Sequence, residues 1–223
     1  MDKKQTIAII PARGGSKRLP NKNIKLLGEV PLIAHSILYA KANFVDRVIV
    51  STDNAEIKKV AIKYGAEVLD RPEELANDNS PTIEALIHVL KNINEPNSTI
   101  ILLQPTNPLR PEELLKNALS KFTAGNFDSL MTVTRSQQKF GKIIEDKFVP
   151  YTYDIGQRSQ DLDPLYFENG LLYITKSRLI EKGKILGKNN YPMIINHPYA
   201  YVDIDTKEDF ELAMYYYQKK LNE

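Results

Sequence analysis

Short apolar runs alternate along the chain with segments of helical periodicity. We predict strands for the runs at residues 6–12, 47–51, 67–69, 99–103 and 129–134. We predict helices, with apolar side chains three or four positions apart, at residues 31–42, 54–64, 81–90 and 111–122. The alternation of strands and helices indicates an α/β fold in which helices flank a mostly parallel sheet.

The alternation stops after residue 134. Residues 137–163 are polar, with scattered tyrosine and phenylalanine and no clear period, and we expect an irregular strand or two there. We interpret residues 136–168 as a small lobe inserted within one domain that spans residues 1–223. The remaining predicted elements are strands at residues 171–175 and 193–195 and a terminal helix at residues 206–221.

The composition is that of a globular protein: of 223 residues, 42% are apolar and 26% are charged. The formal net charge of +2 disfavours binding of nucleic acid through its phosphates alone, whereas a small anionic ligand needs only a local cluster of cations. The absence of cysteine excludes disulfides, thiolate metal sites and cysteine nucleophiles, and it suits a cytoplasmic protein. We expect no membrane span and no secretory signal, because the chain has no apolar segment of about eighteen residues and no apolar N-terminal region.

The loop at residues 13–23 follows the first predicted strand and is rich in glycine and basic residues. Ligands of open α/β sheets bind beyond the carboxyl ends of the strands. Gly14 and Gly15 allow the backbone to approach a ligand and to direct N–H groups at it. The positive charge comes from Arg13, Lys17, Arg18 and Lys22. The loop suits a triphosphate, although it has neither the Walker A nor the dinucleotide-binding order. A solvated basic turn is the alternative.

Two aspartates near the C-terminus form a candidate metal site. In an extended segment, Asp203 and Asp205 place their carboxylates on the same side. A divalent cation removes their repulsion, and Mg²⁺ typically combines one or two carboxylates with phosphate oxygens. The alternative is an aspartate pair at a loop end, with Asp205 helping to start the terminal helix. Thr206 and Asp209 are spaced as in a capping box, although the usual partner is Glu or Gln.

Two further segments could contact a ligand. Residues 102–110 read LLQPTNPLR, so that Gln104 and Thr106 offer hydrogen bonds at the carboxyl end of a strand, in a loop that two prolines stiffen. The alternative is a turn without a ligand. Asn169 and Gly170 immediately precede the strand predicted at residues 171–175, and such a pair often forms only a turn.

Several motifs together resemble those of a known family. The segment IIPARGGSKRLPNKN resembles the opening motif of the CMP-sialic acid synthetases, also called acylneuraminate cytidylyltransferases. The similarity continues in the same order through VSTD, RPEELA, LLQPTNPLR, NG and DIDT, and it covers nearly the whole chain. It implies a Rossmann-like nucleotidyltransferase fold with a small dimerisation lobe. It also implies a homodimer that uses CTP as co-substrate and Mg²⁺, or Mn²⁺ in its place.

The resemblance also implies roles for individual residues. The CTP phosphates would be bound by Arg13, Gly14, Gly15, Ser16, Lys17 and Lys22. The cytidine would be held by Arg71 and by residues 77–80, which include Asn77 and Ser80. The metal would be bound by Asp203 and Asp205, and the sugar would be contacted by Gln104 and Asn169. The sugar carboxylate would meet cations at Lys142 and Arg158, which the partner subunit sometimes supplies.

The expected reaction joins CMP from CTP to the anomeric hydroxyl of a sialic-acid-type sugar, with release of pyrophosphate. Arg13 and Lys17 would offset charge on the departing phosphates. One departure from the family pattern is Phe167, where bacterial sialic acid enzymes often have arginine, and it makes legionaminic or pseudaminic acid plausible substrates. The alternatives are Kdo or another sugar as acceptor, UTP or GTP as donor, and a nucleotide-binding module without catalysis.

Overall fold

The computed structural model describes residues 4–93 and 95–221. The strands in chain order are β1 (Thr6–Pro11), β2 (Leu26–Leu27), β3 (Val30–Pro31), β4 (Arg47–Thr52), β5 (Glu67–Asp70), β6 (Thr99–Leu102), β7 (Ser129–Arg135), β8 (Gly141–Ile144), β9 (Lys147–Pro150), β10 (Tyr166–Lys176) and β11 (Asn190–Ile194). The helices are α1 (Leu32–Ala42), α2 (Ala55–Lys63), α3 (Thr82–Ile93), α4 (Leu114–Ala124), α5 (Ser177–Ile180) and α6 (Lys207–Leu221). Within the described residues, no helix is both long and apolar enough to cross a membrane.

A seven-stranded sheet, in the order β11-β7-β10-β6-β1-β4-β5, forms the centre of the described structure. Strands β1, β4, β5 and β6 run parallel to one another, whereas β10 is antiparallel to both β6 and β7. The α/β fold with a mostly parallel sheet is therefore confirmed. The reversal of strand order on either side of β1 creates the crevice in which open α/β sheets bind their ligands.

Apolar side chains of β1 alternate between two cores. Ile7 and Ile9 are fully buried on the face that α3 covers. Ala8 and Ile10 are fully buried on the opposite face, against α1 and its neighbours. Because helices cover both faces, β1 has no polar side and reads as a continuous apolar run.

Helix α4 begins at Leu114, three residues after the predicted start at residue 111. The reason is a contact that is distant in sequence. The Tyr39 hydroxyl accepts a hydrogen bond from the Leu115 backbone N–H at 3.0 Å and donates one to the Pro111 carbonyl at 3.2 Å. A tyrosine of α1 therefore takes the place of a local N-cap side chain, and Glu113 makes no side-chain cap.

Strand β10 contains the strand predicted at residues 171–175 but begins at Tyr166, so the predicted start at residue 171 is wrong. Asn169 and Gly170 lie within the strand and do not form the turn that was the alternative. The pairing of β10 with β7 shifts register between Glu168 and Tyr173, which defines a bulge. Gly170 has φ +73, and a Cβ atom there would lie 2.7 Å from Asn107 Oδ1. The glycine is therefore needed for a bulge within the strand and for close packing against Asn107.

The segment between β7 and β10 contains the antiparallel pair β8 and β9, where we predicted an irregular strand or two. We call these two strands the lobe hairpin. Apolar side chains in the hairpin and directly beside it are exposed, at Phe140, Ile143, Ile144, Phe148, Val149 and Tyr151. Such a patch is typical of a surface that meets a partner.

Helix α6 starts one residue later than predicted, at Lys207, and its capping box is confirmed. The Thr206 N–H donates to Asp209 Oδ2 at 2.8 Å, and the Asp209 N–H donates to Thr206 Oγ1 at 3.2 Å. Aspartate therefore replaces the usual Glu or Gln in this arrangement. The cap fixes the chain just after Asp205, a predicted site residue.

Candidate active site

A cavity of about 380 Å³ lies at the carboxyl ends of β1 and β6, in the predicted crevice, and we call it the first cavity. Its wall combines segments that are far apart in sequence. Predicted site residues in this wall are Arg13, Ser16, Lys17, Lys22, Arg71, Ser80, Gln104 and Asp205. The fold therefore brings the basic loop, the segment at residues 77–80 and one metal-site candidate together.

The basic loop is fixed by contacts with α2 and with its own asparagine. Gly14 donates its N–H to Asp53 Oδ1 at 2.9 Å, and a Cβ at this position would lie 2.7 Å from the Asn54 side chain. Asn54 is the N-cap of α2, so Gly14 is required for packing against that cap. A Cβ at Gly15 would meet nothing within 4 Å, so of the two loop glycines it is Gly15 that faces open space. Asn23 closes the loop by donating to the Arg13 carbonyl at 2.9 Å.

Two aspartates pair with the cations of the loop. Asp78 accepts from Arg13 at 2.8 Å and also contacts Lys17. The hydrogen bonds from Lys17 and Arg13 lower the pKa of Asp78. Asp205 pairs with Arg18 at 2.6 Å and with Lys22 at 2.9 Å. The first cavity thus holds a cluster of cations whose charge is partly offset by aspartates from other segments.

Arg71 lies at the base of the first cavity with only 9% of its surface exposed. Its guanidinium donates to the Ser51 carbonyl at 2.6 Å and to Ser51 Oγ at 3.1 Å. Burial lowers the pKa of Arg71, and the charge of Asp53 acts against that effect. The guanidinium is therefore fixed on the end of β4 and contributes positive charge to the cavity wall.

Residues 77–80 fold back onto the preceding turn. Asn77 and Ser80 both donate from their side chains to the Glu74 carbonyl, at 2.7 Å and 3.1 Å. Ser80 lines the first cavity together with Asp78, whereas Asn77 is not part of its wall. Asn77 thus shapes the turn, and Ser80 reaches the cavity.

A second cavity of about 860 Å³ lies beyond Asp203, at the ends of β7 and β10. Asp203 lines this cavity, whereas Asp205 lines the first. Val202 and Ile204, which flank Asp203, are buried, as the alternation predicted for this segment requires. The two carboxylates therefore mark the boundary between the cavities.

The aspartate pair fits a cation that a ligand helps to hold. Among the described residues, no group of three or more His, Cys, Asp or Glu side chains is placed to bind a metal ion. Asp203 is exposed, and Asp205 is part-exposed and paired with cations. Two carboxylates completed by phosphate oxygens form a usual Mg²⁺ site, which fits the donors present.

Asn169 lines the second cavity, but its side chain is engaged by the sheet. It is 5% exposed, its Oδ1 accepts from Thr132 Oγ1 at 2.6 Å, and its Nδ2 donates to Thr134 Oγ1 at 3.0 Å. These bonds fix the bulge of β10. Gln104, the other predicted sugar contact, lines the first cavity.

Lys142 and Arg158 line neither cavity within this chain. Lys142 lies 4.3 Å from the centre of the Tyr151 ring, and Arg158 pairs with Asp161 at 2.7 Å. Both belong to the segment around the lobe hairpin. Arg135 is the cation that this chain contributes to the wall of the second cavity. It lies there because it is the last residue of β7.

Two buried residues of the LLQPTNPLR segment, Asn107 and Arg110, form hydrogen bonds to elements that line the cavities. Asn107 donates to the Asn169 carbonyl at 3.2 Å and to the Val202 carbonyl at 2.9 Å. Arg110 is buried and donates to three acceptors: Leu171 O at 2.7 Å, Ser36 Oγ at 3.0 Å and Gln104 O at 2.9 Å. Burial lowers the pKa of Arg110 to about 10. Sequence reasoning identified this segment but missed these roles, because nothing local indicates that an arginine is buried.

The fold and the cation-lined first cavity define a nucleotidyltransferase. The chain belongs to the cytidylyltransferase family, whose profile matches residues 7–223. It is 34% identical to CMP-N,N'-diacetyllegionaminic acid synthase of Legionella pneumophila, over 93% of this chain and 94% of that protein. It is also 34% identical to N-acylneuraminate cytidylyltransferase of Escherichia coli, over 96% of this chain and 52% of that protein.

A solved structure supports the fold independently. CMP:2-keto-3-deoxy-manno-octonic acid synthetase in complex with CTP superposes with a TM-score of 0.71, covering 97% of this chain and 100% of that one. The sequence identity is 16%, so this likeness concerns the fold alone. The resemblance found in the sequence motifs and the family match thus agree.

Proposed function

We propose that this enzyme transfers CMP from CTP to the anomeric hydroxyl of a nonulosonic acid, an N-acylneuraminate or a legionaminate, and releases pyrophosphate. The observation that carries the proposal is the boundary formed by Asp203 and Asp205. On one side lies a cavity rich in cations, which suits a triphosphate. On the other side lies a larger cavity with amide and aromatic side chains, which suits an acylated sugar acid.

The cations of the first cavity account for binding and for departure of pyrophosphate. Arg13, Lys17 and Lys22 hold the β- and γ-phosphates and stabilise the charge that develops as they leave. Arg71 and Ser80 lie where the cytidine and the nearest phosphate would bind. The protein contributes positioning and electrostatics, and the transfer needs no covalent intermediate.

Asp203 and Asp205 would hold Mg²⁺, or Mn²⁺ in its place, together with phosphate oxygens. The ion would lower the pKa of the attacking hydroxyl and offset charge on the α-phosphate when bound. The chain's own contribution is to place one carboxylate in each cavity. We also propose that the enzyme is cytoplasmic, because CTP is available there.

The second cavity supplies the contacts for the sugar acid. Arg135 offers a cation for the carboxylate. Phe167 and Tyr201, whose ring centroids are 5.7 Å apart, offer an apolar surface for an acyl methyl group. Phe167 in place of the arginine common in bacterial sialic acid enzymes favours the legionaminate, which presents more acyl groups and fewer hydroxyls.

We infer a homodimer that forms through the lobe hairpin. Ile143 is 71% exposed and Phe148 is 53% exposed, and burial of such side chains drives association. The same contact would bring Lys142 or Arg158 to the sugar carboxylate of the partner subunit, since neither lines a cavity of its own chain. Light scattering of the wild type and of Ile143→Ser tests this, with a dimer expected for the wild type and a monomer for the variant.

Pyrophosphate release tests the proposed reaction. CTP and Mg²⁺ are combined with N-acetylneuraminate, N,N'-diacetyllegionaminate, pseudaminate or Kdo, and UTP and GTP replace CTP in parallel. We expect release with CTP and with legionaminate or N-acetylneuraminate. Preference for pseudaminate or Kdo would reassign the sugar. Release with UTP or GTP alone would reassign the nucleotide, and no release with any pair would favour a nucleotide-binding module without catalysis.

A further inference from the structure

Every cation of the basic loop that lines the first cavity has an aspartate partner. Arg18 and Lys22 pair with Asp205, a proposed metal ligand. Arg13 and Lys17 pair with Asp78, which lies in the stretch expected to hold the cytidine but has no role of its own in the proposed reaction. A triphosphate that binds to Arg13 and Lys17 therefore competes with Asp78 for these two cations.

The position of Asp78 separates it from an ordinary surface ion pair. It lines the first cavity, and its carboxylate joins the guanidinium of Arg13 to the ammonium of Lys17. Exposed ion pairs contribute little to stability, and the Lys17 side chain is 78% exposed. A carboxylate oxygen pair is also the side-chain group that most resembles two oxygens of a phosphate in charge and geometry.

The turn that carries Asp78 does not need its carboxylate. The Asn79 N–H donates to Asn77 Oδ1 at 2.9 Å, and the Ser80 N–H donates to the Asn77 carbonyl at 3.2 Å. Asn77 and Ser80 also bond to the Glu74 carbonyl. The turn is thus closed by other groups, so the carboxylate can leave the cations without loss of the local fold.

We propose that Asp78 is a positioning residue that occupies the place of a nucleotide phosphate: it holds Arg13 and Lys17 together in the wall of the first cavity and is displaced when CTP binds. The inference rests on the proposed function, because it requires CTP in the first cavity. It has a consequence for the end of the reaction. Asp78 competes with pyrophosphate for the same two cations and so speeds product release.

The test is Asp78→Asn, which keeps the shape of the side chain and removes its charge. Calorimetry measures the Kd of CTP, and inhibition kinetics measure the Ki of pyrophosphate. We expect both to fall about two- to fivefold, because a competing anion has been removed. Binding of cytidine, which has no phosphate, stays unchanged. Asp78→Glu restores the charge and the wild-type constants within about twofold.

Asp128→Asn is the matched control. Asp128 also joins two cations, Lys176 at 3.2 Å and Arg178 at 2.6 Å, but it lines neither cavity of the proposed site. We expect its CTP and pyrophosphate constants to equal those of the wild type. A gain of the same size in Asp128→Asn would show a general charge effect and overturn the inference.

Equal or weaker CTP binding by Asp78→Asn would also overturn it, as would tighter binding of cytidine. A wild-type protein that binds no CTP would contradict the proposed function itself, so the two failures can be distinguished. A rise in salt gives a further check, because screening reduces the gain between Asp78→Asn and wild type.

Discussion

The two cavities of the site differ in charge although residues 203–205 contribute to the lining of both. The first contains the cations of the basic loop and Arg71, with aspartates as their partners. The second contains Arg135 as its cation, together with the carboxylates of Glu168 and Asp203 and several aromatic rings. The fold therefore separates a cation-rich cavity, which suits a phosphate chain, from a larger cavity whose wall has fewer cations and more aromatic rings.

Hydrogen bonds to backbone groups hold the segment at residues 202–205 in place. The Ile204 N–H donates to the Thr106 carbonyl at 2.8 Å, and Asn107 binds the Val202 carbonyl at 2.9 Å. The position of the carboxylates at the boundary therefore depends on the loop that follows β6. Substitutions in this segment, in the loop that follows β6 and in each cavity should therefore affect turnover, stability and substrate binding differently.

Removal of the Asp203 carboxylate should have the largest effect on turnover. We expect Asp203→Ala to lower kcat by at least about 100-fold, since a proposed metal ligand contributes mainly to the transition state. The Kd of CTP without metal should change less than about twofold, because Asp203 lies in the other cavity. Steady-state kinetics and calorimetry measure both. Near-wild-type turnover at saturating Mg²⁺ would contradict the metal assignment.

Arg110→Met should remove the buried hydrogen bonds that join the loop after β6 to β10 and α1. The change leaves the carbonyls of Leu171 and Gln104 without a buried donor, and we expect a loss of about 3 kcal/mol in the free energy of unfolding. Urea denaturation measures it. Arg47→Met is the control, since Arg47 forms ion pairs at the surface and should cost less than about 1 kcal/mol. Equal losses in both variants would refute the structural role of Arg110.

Arg135→Gln should weaken binding of the sugar acid without affecting binding of CTP. We expect the KM of the sugar acid to rise about tenfold, through loss of a charge-assisted contact, with an unchanged Kd for CTP. Arg158→Gln compares the cation of this chain with one proposed to come from the partner subunit. If Arg158→Gln alone raises the KM, the sugar carboxylate is bound by the partner and the role of Arg135 is wrong.

Asp209→Asn should have the smallest effect, confined to stability. Partial burial of Asp209 opposes its ionisation, but hydrogen bonds from Asp205 and Thr206 outweigh this and lower its pKa. The ionised group therefore stabilises the fold above the unfolded pKa of about 4, and this stabilisation is lost as the pH falls through the lower folded pKa. We expect a deficit of about 1 kcal/mol at pH 7 that shrinks in acid. A deficit independent of pH would contradict the charged cap.

Local sequence patterns were sufficient for the four parallel strands β1, β4, β5 and β6 of the central sheet. The apolar run that became β1 and the periodicity that became α2 depend on neighbours in the chain, which a sequence displays. The bulge at Asn169 could not be distinguished from a turn in the sequence, because it depends on the contact between Gly170 and Asn107. The start of α4 was placed too early, because its cap comes from Tyr39 on another helix.

The charge partners of the site could not be predicted in this way. Asp78 meets Arg13 across 65 positions of sequence, and Lys22 meets Asp205 across 183. Basic residues in a glycine-rich loop indicated a phosphate site, but only the fold shows which carboxylates face them. The family resemblance named the metal and phosphate residues, and it gave no partner for Asp78.

The most direct test of the account is phosphorus NMR of the enzyme with CTP, Mg²⁺ and N,N'-diacetyllegionaminate. Attack on the α-phosphorus, next to the boundary aspartates, predicts equal amounts of a CMP-sugar phosphodiester and pyrophosphate. CDP with inorganic phosphate, or a sugar that carries a diphosphate, would place the attack elsewhere and contradict the assignment of the two cavities.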